Sequence, residues 1–188
     1  MARLKVGLFD SGIGGLSLLH PLYHHLINCD FFYFADTAHA PWGDQESAFL
    51  KTRIKSILNY FEKNLVDVIV IACNTSSILF FNDIQSQTKI KTIQLVDLLC
   101  QKAVQSSQTK EISILATKNA VNAKGFTETI NSIDPNVSTI EIACPLWVPA
   151  IEARTSCPKH LNNIVKDSLK SIQKNLSDTL IYGCTHYP

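Results

Sequence analysis

The sequence predicts an α/β protein with two similar parallel-sheet domains that face each other across an active-site cleft. Short runs rich in Val, Ile and Phe alternate with longer mixed segments of helical length. Each half of the chain contains an apolar run that ends at a cysteine, Cys73 in the first half and Cys184 in the second. The 188 residues, 46% of them hydrophobic, are sufficient for a core in each half.

In the first half, the apolar runs are bounded by turn residues and read as buried strands. The run KVGLF at 5–9 precedes a glycine turn and a helix from about 15 to 27, in which Pro21 must begin a turn or kink the helix. The remaining predicted elements are strands at 31–35, 67–72 and 91–96, and helices at 45–63 and after Asn74.

The same alternation continues in the second half, and a division after residue 96 gives the domains 1–96 and 97–188. Parallel strands place their carboxyl ends at one edge of a sheet, where ligands bind. The predicted elements are strands at 111–116, 138–143 and 178–183, helices ending near 130 and spanning 159–174, and a proline-rich loop after Cys144. The strand ends carry Asp10, Asp36, Cys73, Thr117, Cys144 and Cys184.

Composition excludes several classes of partner. The net charge is +1 and the lysines and arginines are scattered, which disfavours nucleic acid and anionic membranes. The apolar runs are too short to span a bilayer, and the N-terminus enters a strand without a signal-peptide core, so we expect a cytoplasmic protein. The six cysteines form no CxxC pair or zinc-like cluster, which predicts free thiols and no metal site.

The two strand-end cysteines are the first candidates for chemistry. Each follows an apolar strand and precedes a helix or turn, where backbone amides lower the pKa of a thiol. Inversion at a carbon needs a base on one face and an acid on the other, which Cys73 and Cys184 would supply from opposite domains. Two ordinary buried cysteines are the alternative interpretation.

A glycine-rich turn, DSGIGG at 10–15, joins the first strand to the first helix. It matches neither the dinucleotide fingerprint nor the P-loop. Its backbone amides suit an anion, whereas Asp10 at its head suits an ammonium group. A tight turn in which Asp10 caps the helix explains the pattern equally well.

Three further features have a functional and a structural interpretation. The Pro-Trp-Gly turn at 41–43 offers backbone groups to a carboxylate, or is simply a turn. The apolar segment 144–152 ends at Glu152, which either lies near a reacting group or caps a helix in solvent. His186 follows Cys184 and Thr185 as a proton partner, or is structural.

Together these segments resemble the glutamate racemase family from Leu8 to the last residue. Five motifs occur in the family's order, and the two that match the family's catalytic motifs, at 72–77 and 183–188, each contain a cysteine. This resemblance favours catalytic cysteines over ordinary buried ones. The motifs are FDSGIGGLS at 9–17, the segment at 36–43, ACNTSS at 72–77, CPLWVPAIE at 144–152 and GCTHYP at 183–188.

The resemblance implies interconversion of L- and D-glutamate for bacterial peptidoglycan, without pyridoxal phosphate, another cofactor or a metal. Cys73 and Cys184 match the catalytic thiols, and Asp10, Glu152 and His186 complete the expected catalytic set. The expected substrate-binding residues are Asp10, Ser11, Trp42, Gly43, Asn74, Thr75, Thr117, Thr185 and His186.

Several positions depart from the family pattern. Trp42 replaces the usual tyrosine, which removes a hydroxyl from the expected pocket, and 91–101 lacks the usual Gly and Pro. Asn122 and Phe126 stand where Ser and Tyr are typical. Family members continue beyond GCTHYP with segments that complete the first domain, so we expect the isolated chain to be dimeric, aggregation-prone or low in activity.

Two alternative functions remain open at this point. One is racemisation of aspartate or another small acid; paired cysteines permit racemisation and disfavour a one-cysteine decarboxylase. The other is a truncated, catalytically weak or inactive relative with a binding or regulatory role. The expected partner is a small-molecule substrate, and the resemblance is compatible with a homodimer.

Overall fold

The computed structural model describes residues 2–153, 158–170, 172 and 176–188, with 158–161 described as backbone only. The strands form two separate sheets, and every strand pair in both is parallel. This arrangement confirms the predicted α/β class with two parallel-sheet domains. Over the part of the chain described, no helix combines the length and the apolarity needed to cross a membrane.

The first sheet has the strand order β2-β1-β3-β4. Its main core contains Trp42, Phe61 and Ile69, and a smaller core with Val6 and Leu8 packs against the first helix. The strands are β1 (Leu4–Asp10), β2 (Cys29–Ala35), β3 (Val68–Ile71) and β4 (Lys91–Gln94), and the helices are α1 (Leu16–His25), α2 (Ser47–Lys63) and α3 (Asn74–Gln87).

The second sheet has the order β6-β5-β7. Its main core contains Ile112, Ile114, Phe126 and Ile181. The strands are β5 (Glu111–Ala116), β6 (Ser138–Ala143) and β7 (Thr179–Gly183), and the helices are α4 (Val96–Ser106), α5 (Lys118–Asn122), α6 (Gly125–Ile133), α7 (Trp147–Glu152) and α8 (Pro158–Leu169).

The division between residues 96 and 97 stays a prediction, and the packing of α4 supports a boundary close to it. Strand β4 pairs with β3 in the first sheet. The buried residues of α4, namely Val96, Cys100 and Ala103, belong to the core of the second sheet. We therefore propose that the second domain begins within a residue or two of the predicted position.

Helix α4 was not predicted, and the strand expected over 91–96 ends at Gln94. The apolar run after Gln94 was interpreted as the end of that strand. Its buried residues Val96, Cys100 and Ala103 recur at intervals of three or four, however, which is the period of a helix with one face in the core. That period was the signal the prediction overlooked.

Proline residues account for two other differences. Helix α1 continues through Pro21 to His25, so no turn begins there; Leu18 and Leu22 pack on the sheet and hold the helix despite one missing N–H donor. The predicted proline-rich loop contains α7, in which Pro149 lies in the first turn, where a helix needs no N–H donor. Cys157, predicted as a thiol, and residues 171, 173 and 174 of the predicted 159–174 helix lie outside the described residues.

Gly183 ends β7 immediately before Cys184, and a Cβ atom at this position would lie 2.8 Å from the ring of Phe126. Because Phe126 is fully buried, its ring cannot move into solvent. We predict that Gly183→Ala lowers the free energy of unfolding by about 1–3 kcal/mol, measured by urea denaturation. Phe126→Leu in the same chain should recover part of this loss, and purely additive effects in the double-mutant cycle would contradict the clash.

Candidate active site

The carboxyl ends of strands from both sheets face one cleft, and the residues on its two sides close around a small cavity. Its volume is about 10 Å³, which is room for one water molecule. A larger ligand therefore enters only when the two sides separate. The cavity is lined by Ser11, Pro41, Trp42, Gly43, Cys73, Asn74, Thr75, Thr117, Val148, Cys184, Thr185 and His186.

Cys73 is the N-cap residue of α3, directly after β3. Its side chain is buried, and its Sγ donates a hydrogen bond to Ser11 Oγ at 3.4 Å. Burial raises the pKa of this thiol, and the negative charge of Asp10 raises it further. The hydroxyl of Ser11, and the hydroxyl and backbone N–H of Ser76, could donate to a thiolate and therefore lower the pKa, but they do not outweigh burial.

Cys184 follows β7 directly, and its Sγ lies 3.7 Å from Nδ1 of His186. Burial raises the pKa of this thiol also, although the backbone N–H of His186 opposes the effect. The expectation that nearby amides leave both thiols with a lowered pKa is therefore wrong for the closed site. The amides act in the expected direction, but removal from water is the larger effect.

His186 connects Cys184 to Glu152 at the end of α7. Nε2 of His186 lies 2.7 Å from Oε1 of Glu152. The carboxylate accepts a hydrogen bond from Nε2–H, which leaves Nδ1 of the neutral ring as the acceptor that faces the Cys184 thiol. Ile13 fixes the same carboxylate oxygen from the other domain, by donating its backbone N–H at 3.3 Å.

Asp10 occupies the glycine turn and reaches the second domain. Its Oδ2 accepts hydrogen bonds from the backbone N–H groups of Gly12 at 3.1 Å and Gly15 at 3.0 Å. Its Oδ1 accepts a bond from the Thr185 hydroxyl at 3.1 Å. Burial raises the pKa of Asp10 despite these bonds. These two amides therefore bind the protein's own carboxylate, as in the capping alternative, while Asp10 also lies beside the cavity.

The glycines of this turn are required by the close approach of the second domain. A Cβ atom on Gly14 would lie 2.5 Å from Thr185 Oγ1 and from Nδ1 of His186. A Cβ atom on Gly12 would lie 2.4 Å from Oε1 of Glu152. Any side chain at either position would push apart the groups that surround the cavity.

Trp42 borders the cavity but belongs to the core of the first domain. Its ring is 1% exposed and packs against Phe9 with centroids 5.2 Å apart. Its Nε1 donates to Oδ2 of Asp36 at 3.1 Å. The indole therefore fixes the turn at 41–43 from inside the domain.

Asp36 is a buried carboxylate, which the sequence analysis identified only as one of the residues at the carboxyl ends of strands. Arg53 donates to both of its oxygens, at 3.1 and 2.7 Å, and His39 lies at 3.0 Å. Burial alone would raise the pKa of Asp36, but the bonds to Arg53 and His39 lower it. No short motif links residues 17 apart in sequence, so Arg53 could not be identified before the structure.

Hydrogen bonds between the domains keep the cavity closed. The hydroxyls of Thr75 and Thr117 are 2.8 Å apart. Nδ2 of Asn119, on α5, donates to the backbone oxygens of Trp42 at 3.3 Å and Gln45 at 3.1 Å. Sequence reasoning identified the threonines and missed Asn119, whose role depends on the loop of the other domain.

The structure brings all the predicted site residues together. Ten of them line the cavity, and Asp10 and Glu152 contact it through Thr185 and His186. Pro41 and Val148 also line it, inside motifs already recognised. Within residues 2–153, 158–170, 172 and 176–188, no group of three or more His, Cys, Asp or Glu side chains is arranged to hold a metal ion.

The fold and the site define a two-domain α/β protein with one thiol from each domain in a shared cavity. The Asp/Glu/hydantoin racemase family profile matches residues 34–188. A glutamate racemase of Picosynechococcus sp. is 37% identical over 182 residues, covering 97% of this chain and 64% of the relative. The chain belongs to the Asp/Glu/hydantoin racemase family, and it spans about 64% of the length of this relative.

Solved structures show the same fold. A glutamate racemase isoform from Bacillus anthracis has a TM-score of 0.94 at 23% identity, covering 100% of this chain and 71% of that protein. A glutamate racemase from Francisella tularensis, solved in complex with D-glutamate, has a TM-score of 0.92 at 28% identity, with the same coverage of both chains.

The pairing of Asp36 and Arg53 leads to a stability prediction. Arg53→Met should lower the free energy of unfolding by about 3 kcal/mol, because it leaves a buried carboxylate without its cation. The lowered pKa of Asp36 means that the pair stabilises the fold above about pH 4 and stops doing so as the pH falls through the folded pKa. Urea denaturation at several pH values should show the variants converging in acid.

The control is Lys51→Met on the same helix. Lys51 pairs with Asp83, but both side chains are exposed, so its loss should cost at most about 1 kcal/mol. Equal losses from both substitutions, or a loss for Arg53→Met that persists in acid, would contradict the buried-pair interpretation.

Proposed function

We propose that this chain interconverts L- and D-glutamate by transferring protons between the substrate's α carbon and two cysteine thiols. One observation carries the proposal: Cys73 from the first domain and Cys184 from the second are both buried and line one small cavity. Each thiol also has a polar partner of its own, Ser11 for Cys73 and His186 for Cys184. The family membership and the glutamate racemases among its relatives support the same reaction.

In the proposed mechanism, one cysteine is a thiolate and the other a thiol when the substrate binds. The thiolate forms an S–H bond with the α proton, and the electron pair of the C–H bond stays on the carbon, delocalised into the carboxylate. The second thiol gives its proton to the opposite face and becomes the thiolate. One turnover thus exchanges the protonation states of Cys73 and Cys184, and the reverse reaction begins from the exchanged state.

The raised pKa of each thiol supports this role. An α proton of an amino acid is weakly acidic, so its removal requires a strong base, and a desolvated thiolate is more basic than one in water. His186 is positioned to accept the proton of Cys184 at Nδ1, while Glu152 holds its Nε2. We propose that Asp10 is the corresponding charged group near Cys73.

Groups that would bind an amino acid lie around the same cavity. Oδ1 of Asn74 is buried and has no hydrogen-bond partner in the described part of the chain, so it is free to accept from an ammonium group. Thr75 and Thr117 are hydrogen-bonded to each other and would donate instead to a carboxylate once the domains open. Ser11, Gly43, Thr185 and the backbone at Trp42 complete the proposed substrate-binding set.

Two alternatives remain testable against this proposal. Aspartate or another small acid would require the same two-base chemistry, and comparing rates on L-glutamate and L-aspartate distinguishes them. A binding protein without activity would bind D-glutamate but form no product. We also propose, from family resemblance, a role in supplying D-glutamate for peptidoglycan and a homodimeric state, which light scattering would test.

The cysteines provide the main test. Cys73→Ser and Cys184→Ser should each lower racemisation about 10²–10⁴-fold, because each removes the acid or base for one face. In D₂O, each variant should still exchange the α proton of one enantiomer, and the two variants should exchange opposite enantiomers. Optical rotation measures inversion, and NMR measures exchange.

Cys100→Ala is the matched control, because Cys100 is fully buried in the second core, away from the cavity. It should retain the activity of the parent per folded molecule. Near-normal racemisation by either serine variant would exclude the two-thiol mechanism.

The reaction should be independent of pyridoxal phosphate and of metals. A pyridoxal enzyme needs a lysine for the Schiff base, and no lysine is among the described residues that line the cavity. We expect unchanged turnover after treatment with borohydride and with EDTA. Activity lost to EDTA and restored by a divalent metal would overturn this part of the proposal.

A further inference from the structure

The hydroxyl of Ser76 is buried beside the Cys73 thiol without a hydrogen-bond partner. Ser76 lies in the first turn of α3, three residues after its N-cap residue Cys73. Its side chain is fully buried, and its Oγ makes no hydrogen bond within the described part of the chain. A buried hydroxyl without a partner costs free energy, so its presence here indicates a partner in another state of the site.

The next residue, Ser77, shows what a serine on this helix ordinarily does. Its Oγ donates to the backbone oxygen of Cys73 at 3.1 Å, one turn earlier. Ser76 makes no such bond. Its hydroxyl and backbone N–H instead both lie where they stabilise negative charge on the sulfur of Cys73.

The protonation state of Cys73 decides whether Ser76 has a partner. As a thiol, Cys73 uses its proton to donate to Ser11 Oγ. As a thiolate, the sulfur is a strong acceptor, and the Ser76 hydroxyl becomes bonded. A hydrogen bond made only to the charged form favours that form.

We propose that Ser76 is a positioning residue that stabilises the thiolate of Cys73. Its catalytic consequence rests on the proposed racemisation, whereas its effect on the thiol does not depend on turnover. The hydroxyl next to Cys184, that of Thr185, also lowers the pKa of its thiol, but it already donates to Oδ1 of Asp10, whereas the Ser76 hydroxyl is uncommitted in the described part of the chain. Ser76 therefore shifts the balance between the two protonation states of the site toward a thiolate at Cys73.

The other ionisable groups around Cys73 mostly act against a thiolate there. Asp10 at the end of β1, Tyr33 on β2 and Cys184 after β7 interact electrostatically with Cys73, and each is negative when ionised. His186 is the group lining the same cavity that is positive when protonated. Neutral donors close to the sulfur, such as Ser76 and Ser11, can favour the thiolate without adding a charge to the site.

The test is the pH dependence of Cys73 alkylation by iodoacetamide in Ser76→Ala, with the modified peptide quantified by mass spectrometry. The shape of the curve gives the apparent pKa, because opening of the cavity affects only the overall rate. We expect this pKa to rise by about one pH unit, which reduces the reactive fraction about tenfold below it. The curve for Cys184 in the same samples should move far less.

Ser77→Ala is the matched control, since it removes an equally buried hydroxyl that bonds the carbonyl of Cys73 and not its sulfur. It should leave the Cys73 curve in place, and Ser76→Thr, which keeps the hydroxyl, should retain the curve of the parent. An unchanged Cys73 curve in Ser76→Ala would overturn the proposal, as would an equal shift in Ser77→Ala.

Racemisation assays separate this proposal from the proposed function. Ser76→Ala should lower kcat/KM about tenfold near neutral pH, with the acidic limb of the pH profile moved upward and both directions affected equally. A shifted alkylation curve in a chain without racemase activity would support the proposed role of Ser76 and reject the proposed function. Racemisation by the parent, with no shift of the Cys73 alkylation curve in Ser76→Ala, would reject the proposed role of Ser76 without affecting the proposed function.

Discussion

The polar groups between the two domains are buried, and their properties follow from that burial. Removal from water raises the pKa of Cys73, Cys184 and Asp10 together, against the hydrogen bonds that each receives. Burial also strengthens the electrostatic contacts between these groups, because the effective dielectric constant is lower than in water. A site of this kind favours a mechanism in which charge moves between facing groups and is not exchanged with solvent.

The glycine turn after β1 makes this burial possible. It folds around the Asp10 carboxylate and leaves no side chain between the domains, so that Thr185 and His186 approach to hydrogen-bonding distance. The parallel strand direction brings the functional residues together, because β1, β3 and β7 have their carboxyl ends toward the same cleft. A local turn and a global strand direction thus combine to build one cavity from two domains.

Sequence reasoning was most successful where function depends on the order of residues along the chain. The strands, the two cysteines, Glu152 and His186 all lie in continuous motifs, and the structure brings these residues together. The contacts of Arg53 with Asp36 and of Asn119 with the 42–45 loop depend on tertiary packing and have no local pattern. The pKa directions of the thiols were misjudged because the amides are local, whereas burial is a property of the closed fold.

The bonds of Asn119 across the cleft have a consequence for affinity. The closed form competes with ligand binding, because Thr75 and Thr117 are hydrogen-bonded to each other and the amide of Asn119 holds the 42–45 loop in place. The apparent affinity for a ligand is the affinity of the open form multiplied by the fraction of molecules that are open. Loss of the Asn119 amide would therefore tighten the binding of a small acid, even though the amide stabilises the closed arrangement of the two domains.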